Sequence, residues 1–165
     1  MSRCILVWVS CESSPNPNSD RGEGHWIMYD YAEVYSLGQM QVWNVNDPSH
    51  LDWGMREVEI YYSVDGVVWE SAGTFLFEQN PGLNTYKGFD EPDFNEVEAQ
   101  FLLITATSNW GGTCYGLSEV RIEAEEIVVS SVDDAQTNSC FKVVVMPNPF
   151  VESARVEVNT SCGYL

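Results

Sequence analysis

The chain has 165 residues, with 25 Asp and Glu against 7 Lys and Arg and a formal net charge of −18. Attraction to nucleic acid or to an anionic membrane surface needs clustered cations that displace counterions, and seven scattered Lys and Arg supply no such patch, so nucleic acid is excluded as a partner. Aromatic residues reach 13% while charged residues stay at 19%, and 6 Trp, 8 Tyr and 7 Phe bury enough apolar surface for a folded domain rather than a disordered chain.

Along the chain, the apolar run Cys4 to Val9 is shorter than the roughly 7 to 15 apolar residues of a secretory signal. No stretch approaches the roughly 20 apolar residues of a membrane-spanning helix, which argues against membrane insertion. The expectation is a chain that begins inside a domain, its first strands and signal lying upstream. A polar loop with Pro15 and Pro17 runs from Glu12 to Gly24. Strands are expected at His25 to Asp30 and Ser36 to Asn44, then after a loop to Gly54 at Glu57 to Tyr62, where Val58, Ile60 and Tyr62 alternate with Glu57, Glu59 and Tyr61. Asp65-Gly66, between Tyr61 to Val64 and Val67 to Trp69, reads as a type I′ hairpin turn, which needs the positive φ these residues tolerate. Further strands follow at Thr74 to Phe77, Gln100 to Thr107 and Gly116 to Glu123, with loops at Gln79 to Glu98 and Ser108 to Tyr115. Phe101-Leu102-Leu103-Ile104 is apolar on both faces and belongs at a sheet centre. Seven or so short strands separated by turns indicate an all-β chain folded as a β-sandwich.

Five cysteines form no C-x-x-C pair, and His25 and His50 stand far apart, which argues against a closed zinc site. Buried free thiols are one reading. The other is a bridge between Cys11 and Cys114, each beside a turn-rich segment, which would tie the start of the domain to its end and imply an oxidising compartment. Cys140 and Cys162 could pair within the tail. Nucleophile-elbow and phosphate-loop patterns are absent from the sequence, and the acids lie mostly on alternating strand faces, where charge serves solvation.

The features that remain are aromatics beside amides in loops. Trp110, within Ser108-Asn109-Trp110-Gly111-Gly112, is a candidate to stack on the apolar face of a pyranose while Asn or His side chains take the hydroxyls; alternatively it folds back over the sandwich end. Asn46 and His50 lie in a second such loop. Arg21 and His25 form a third candidate, with structural pairing of Arg21 to a nearby acid as its alternative.

His25 to Asp30, then Ser63-Val64-Asp65-Gly66-Val67-Val68-Trp69, then Gly116-Leu117-Ser118-Glu119-Val120 together resemble the discoidin, or coagulation factor type C, domain over roughly residues 8 to 126. The resemblance implies a galactose-binding-like jelly roll, mainly non-catalytic, that binds through loops at one end. Many relatives of this kind are carbohydrate-binding modules of secreted bacterial enzymes. This places Asn46, His50 and Trp110 among the candidates, beside Asn109, Arg21 and His25 from the loop reading. It also implies a structural calcium held in part by the Ser118 carbonyl and Glu119, although the early Asp/Asn/Thr loop of the family has no counterpart in Met1 to Val7.

After residue 126 the aromatics thin out. The division is a jelly-roll domain over 1–126, a linker over 127–139 and a short incomplete β tail over 140–165. In the tail, Val144-Val145-Met146-Pro147-Asn148-Pro149-Phe150 is similar to the start of a type IX secretion sorting domain, though such domains run several times longer. The resulting expectation is a secreted or cell-surface, non-enzymatic module that binds carbohydrate, with the type IX secretion machinery as a further partner. The alternatives are a structural or adhesive domain that contacts protein, or an accessory fragment of a secreted hydrolase.

Overall fold

The computed structural model describes residues 7–127 and, as backbone alone, two short strands beyond them. In chain order the strands are β1 (Trp8–Ser10), β2 (Ser14–Pro15), β3 (Glu23–Asn44), β4 (Glu57–Ser63), β5 (Glu70–Leu76), β6 (Phe89–Ala106), β7 (Tyr115–Glu126), β8 (Lys142–Met146) and β9 (Ala154–Arg155). The chain is an all-β sandwich of the jelly-roll type, as the alternation indicates.

Two strands serve both layers. Residues 25–30 of β3 pair with 101–106 of β6, whose other edge pairs with β4, and β4 with β5; these make one layer. Residues 35–44 of β3 pair with 89–99 of β6 and with β7, whose far edge takes β1; these make the other. Between the halves the register slips from Asp30 to Tyr35, and Ala32, Asn95 and Glu96 adopt positive φ. Each bend is held by a carboxylate: Ala32 N–H donates to Asp30 Oδ1 at 2.8 Å and Asn95 N–H to Asp93 Oδ1 at 2.9 Å. Irregularities of this kind bend a strand so that it can pass from one sheet to the next.

The core lies between the layers. Ile27, Ile60 and Ile104 form one row across the first layer, and Leu37, Met40, Val42, Val120 and Ile122 fill the second. Full burial of each such side chain contributes about 1.5–3 kcal/mol. The Phe101 to Ile104 run is central, flanked by β3 and β4.

Three expectations are corrected. His25 to Asp30 and Ser36 to Asn44 are two halves of one strand, β3. The segment Gln79 to Glu98 is only partly loop, because β6 begins at Phe89; there Pro92 and Phe94 are buried between exposed Glu91, Asp93 and Asn95, and the acids mask the alternation. Finally, Val67-Val68-Trp69 is not a returning strand. The β4–β5 register ends at Tyr62 opposite Glu70, leaving a wide loop. Asp65 Oδ1 accepts from Val67 and Val68 N–H at 2.8 and 2.9 Å, and Ser63 Oγ accepts from Asp65 and Gly66 N–H at 3.3 and 2.9 Å. These local bonds replace a two-residue turn. The Val68 and Val67 amides, with the Ser63 hydroxyl, hold the Asp65 carboxyl below the usual range.

The polar segment 12–22 is a strap rather than a free loop. The row Met28, Leu103 and Tyr61 faces away from the core, yet Leu103 and Tyr61 are buried. Over this face Asn16 Nδ2 donates to Thr105 Oγ1 at 2.9 Å, and the Arg21 guanidinium lies 4.8 Å from the Tyr61 ring centre and 3.3 Å from Glu59.

Cys11 and Cys114 form the expected disulfide, 103 residues apart in sequence. β8 pairs with β7 along Val120–Ala124, and β9 with Tyr29–Asp30 of β3. The linker from residue 128, the Pro147 to Phe150 motif, and Cys4, Cys140 and Cys162 lie outside the described residues. No helix among the described residues is long and apolar enough to cross a membrane.

Candidate functional site

The ends of β3 and β5 and the starts of β4 and β7 bring three loops to one end of the sandwich: 45–56, 77–88 and 107–114. The fully buried Asn44 ties the first two together. Its Nδ2 donates to the carbonyls of Met55 at 2.7 Å and Glu78 at 2.9 Å, and its Oδ1 accepts from Val45 N–H. Gly54 passes so close that a Cβ there would lie 2.9 Å from the Asn44 amide, which is why the position takes glycine. Asn80 donates to the Asn44 carbonyl and Asn46 Nδ2 to the Leu83 carbonyl, so Asn46 joins two loops while its Oδ1 is enclosed without a partner. Burial and the nearby Glu78 push the Tyr86 phenol up to about 12.

The third loop is built by Asn109. Its Nδ2 donates to the carbonyls of Gly112 and Cys114, both at 2.8 Å, and its Oδ1 accepts from Gly111 N–H at 2.9 Å. Both amide protons are therefore spent inside the loop. The loop docks on 50–56 through Trp110 N–H to the Gly54 carbonyl and Gly112 N–H to the Asp52 carbonyl. Gly112 lies against Trp53 and the Asp52 carbonyl, leaving no room for a side chain.

On this frame Trp110 is half-buried, its indole N–H is enclosed without an acceptor, and the Arg56 guanidinium lies 5.2 Å from its ring centre. His50 stacks on Trp53 at 3.8 Å and 21°. His25 stacks on Tyr115 at 4.0 Å, its Nδ1 2.9 Å from Ser10 Oγ and next to the disulfide; burial lowers its pKa. Of the six residues expected to contact ligand, Asn46 and His50 share the 45–56 loop, Asn109 and Trp110 lie on the 107–114 loop docked against it, and His25 lies by Tyr115. Arg21 is pinned on the outer face of the first layer. Trp53 belonged to the same aromatic and amide cluster as Asn46 and His50, whereas Arg56 was not among the candidates. The signal that could have found Arg56 is an arginine placed directly after a loop in a chain with so few cations.

The two residues named for calcium, Ser118 and Glu119, lie on β7. Calcium takes six to eight oxygen ligands. Glu119 accepts from Arg121 Nε at 2.8 Å, and that guanidinium stacks 4.6 Å from the Trp43 ring centre. The Ser118 hydroxyl is enclosed without a partner, and no three His, Cys, Asp or Glu side chains converge among the described residues.

No protein-family model matches the chain, and no curated protein matches it in sequence. Among solved structures, a chitobiase fragment from Bacteroides thetaiotaomicron aligns with a TM-score of 0.50 at 17% identity, over 67% of this chain and 71% of that one. The C-terminal domain of a chitobiase from Bacteroides fragilis aligns at 0.45 and 18%, over 64% and 68%. A family 89 glycoside hydrolase from Clostridium perfringens, in complex with GlcNAc-alpha-1,4-galactose, aligns at 0.49 and 16%, over 79% of this chain but only 15% of its own. At such identities the likeness is one of fold, and the B. thetaiotaomicron fragment carries it.

Proposed function

We propose that this sandwich is a non-catalytic carbohydrate-binding module of the discoidin kind, belonging to a secreted or surface-attached bacterial protein. The observation that carries the reading is the indole of Trp110, presented at the loop end on a frame made by Asn109, Gly112 and the disulfide and lying against Arg56. A flat ring in this position offers contact area to a sugar face, and the neighbouring polar groups fix hydroxyl orientation. The disulfide favours an extracellular setting. Shallow sites of this type bind in the millimolar to micromolar range, roughly −4 to −8 kcal/mol, so multiple copies or a linked enzyme would supply avidity. The adhesive reading draws on the enclosed indole N–H, which suits a Trp110 that covers the sandwich end.

A glycan array probed with the full chain and with Trp110→Ala, both checked for native melting, separates the two. Glycan binding that falls at least about tenfold in the variant, one ring's worth of stacking, supports the lectin-like reading. No glycan bound by the folded full chain, or binding indifferent to Trp110, overturns it in favour of a protein-contacting domain.

A further inference from the structure

Arg56 differs from the other two arginines among the described residues. Arg21 and Arg121 each pair with a carboxylate, Glu59 at 3.3 Å and Glu119 at 2.8 Å, whereas Arg56 makes no ion pair among the described residues. It is nonetheless held in place. Its backbone N–H donates to the Ser108 carbonyl at 2.9 Å, and its exposed guanidinium rests over Trp110. The adjacent carboxylate, Glu57, accepts from the Thr107 hydroxyl instead.

Hydrogen-bond accounting points the same way. A guanidinium carries five N–H donors and no acceptor, and an indole carries one donor. None of the Arg56 side-chain donors meets a protein acceptor among the described residues, whereas the indole N–H of the neighbouring Trp110 is enclosed and not open to a ligand. The loop end thus presents the guanidinium's donors together with its fixed positive charge. Sugar hydroxyls both give and take hydrogen bonds, whereas a carboxylate or sulfate oxygen only accepts and brings the compensating charge.

We infer that the Arg56–Trp110 pair is a subsite for an oxyanion on a sugar ring, so that the module selects acidic glycans over neutral ones. The inference rests on the glycan-binding reading above. It is compatible with a net charge of −18 because, at about 0.15 M salt, a Debye length of about 8 Å screens the distant acids far more than a direct contact. The shared chemistry is a planar or tetrahedral oxyanion that takes two N–H donors of one guanidinium; it fits both a uronic acid carboxylate and a sulfate ester.

The test is calorimetric titration of the full chain, at about 0.15 M salt, with three oligosaccharides of equal length: a neutral galactan, an oligogalacturonate and a sulfated galactan. The expected result is at least one acidic ligand bound about tenfold tighter than the neutral one, the arm that responds identifying carboxylate or sulfate. In Arg56→Gln the acidic-to-neutral affinity ratio should fall to about one, and Arg56→Lys should retain part of the preference, since it keeps charge but loses the planar fork. A ratio near one in the unaltered chain, or a preference that survives Arg56→Gln, overturns this inference while leaving the glycan reading intact. Failure of all three ligands and of a broad array, by folded protein, overturns the glycan reading and this inference with it.

Discussion

Asn109 shows how a residue's chemistry and its use diverge. A loop amide beside a tryptophan has the composition of a sugar contact, yet all three of its hydrogen bonds close on Gly111, Gly112 and Cys114. Asn readily bonds to backbone a few residues away, and the glycines that follow allow the chain to fold back onto it. Removing it leaves two carbonyls and one N–H without partners, so Asn109→Ala should destabilise the chain by about 1–3 kcal/mol, measured by urea denaturation of the full chain. A loss well below that range would mean water replaces the amide and the loop does not depend on it. Trp110 and His50 were legible as loop aromatics from their neighbours. Arg56 was not, because its significance lies in its place over Trp110 and in the ion pair it lacks among the described residues.

At the scale of elements, burial alternation identified the strands wherever the outer face is solvated, as in Val120 and Ile122 against Arg121 and Glu123. It failed at β3 and β6. There one continuous strand serves two layers, and the bends at Ala32 and at Asn95-Glu96 interrupt the period that defines it. It failed again after Asp65, where Ser63 and Asp65 cap their own loop. The disulfide was legible as a pairing of two turn-flanked cysteines, and its role follows from the elements it joins. It fastens the end of β1 to the start of β7, beside the Cys114 carbonyl that Asn109 holds. Reduction should lower stability by about 2–5 kcal/mol. Denaturation with and without reductant measures this, and unchanged midpoints would assign the bridge no stabilising role.

For the whole molecule, the core that the sandwich encloses makes a prediction at alkaline pH. Tyr29 and Tyr31 are buried, and desolvation raises both phenols well above the ordinary value, with Tyr29 adding to the rise at Tyr31; Tyr86 is pushed up to about 12. A phenol whose folded pKa exceeds its unfolded value of about 10 contributes stability that is present below pH 10 and lost as pH rises through the folded value. Absorbance titration near 295 nm should therefore show these three tyrosines ionising together with loss of native circular dichroism, above about pH 11. Ionisation of all eight near pH 10 with the fold intact would contradict the enclosed placement. The same burial explains the division of labour between sequence and structure. Fold class, the central apolar strand and the absence of a cationic surface follow from the sequence by itself, because alternation, composition and net charge are properties of single residues and their immediate neighbours. Which loops share an end, which arginines are neutralised, whether Asn109 faces inward and how segment 12–22 covers the outer face were decided only by tertiary structure. Apart from the short-range bonds of Asn109, each depends on pairing between positions tens of residues apart, and no local pattern records where those partners meet.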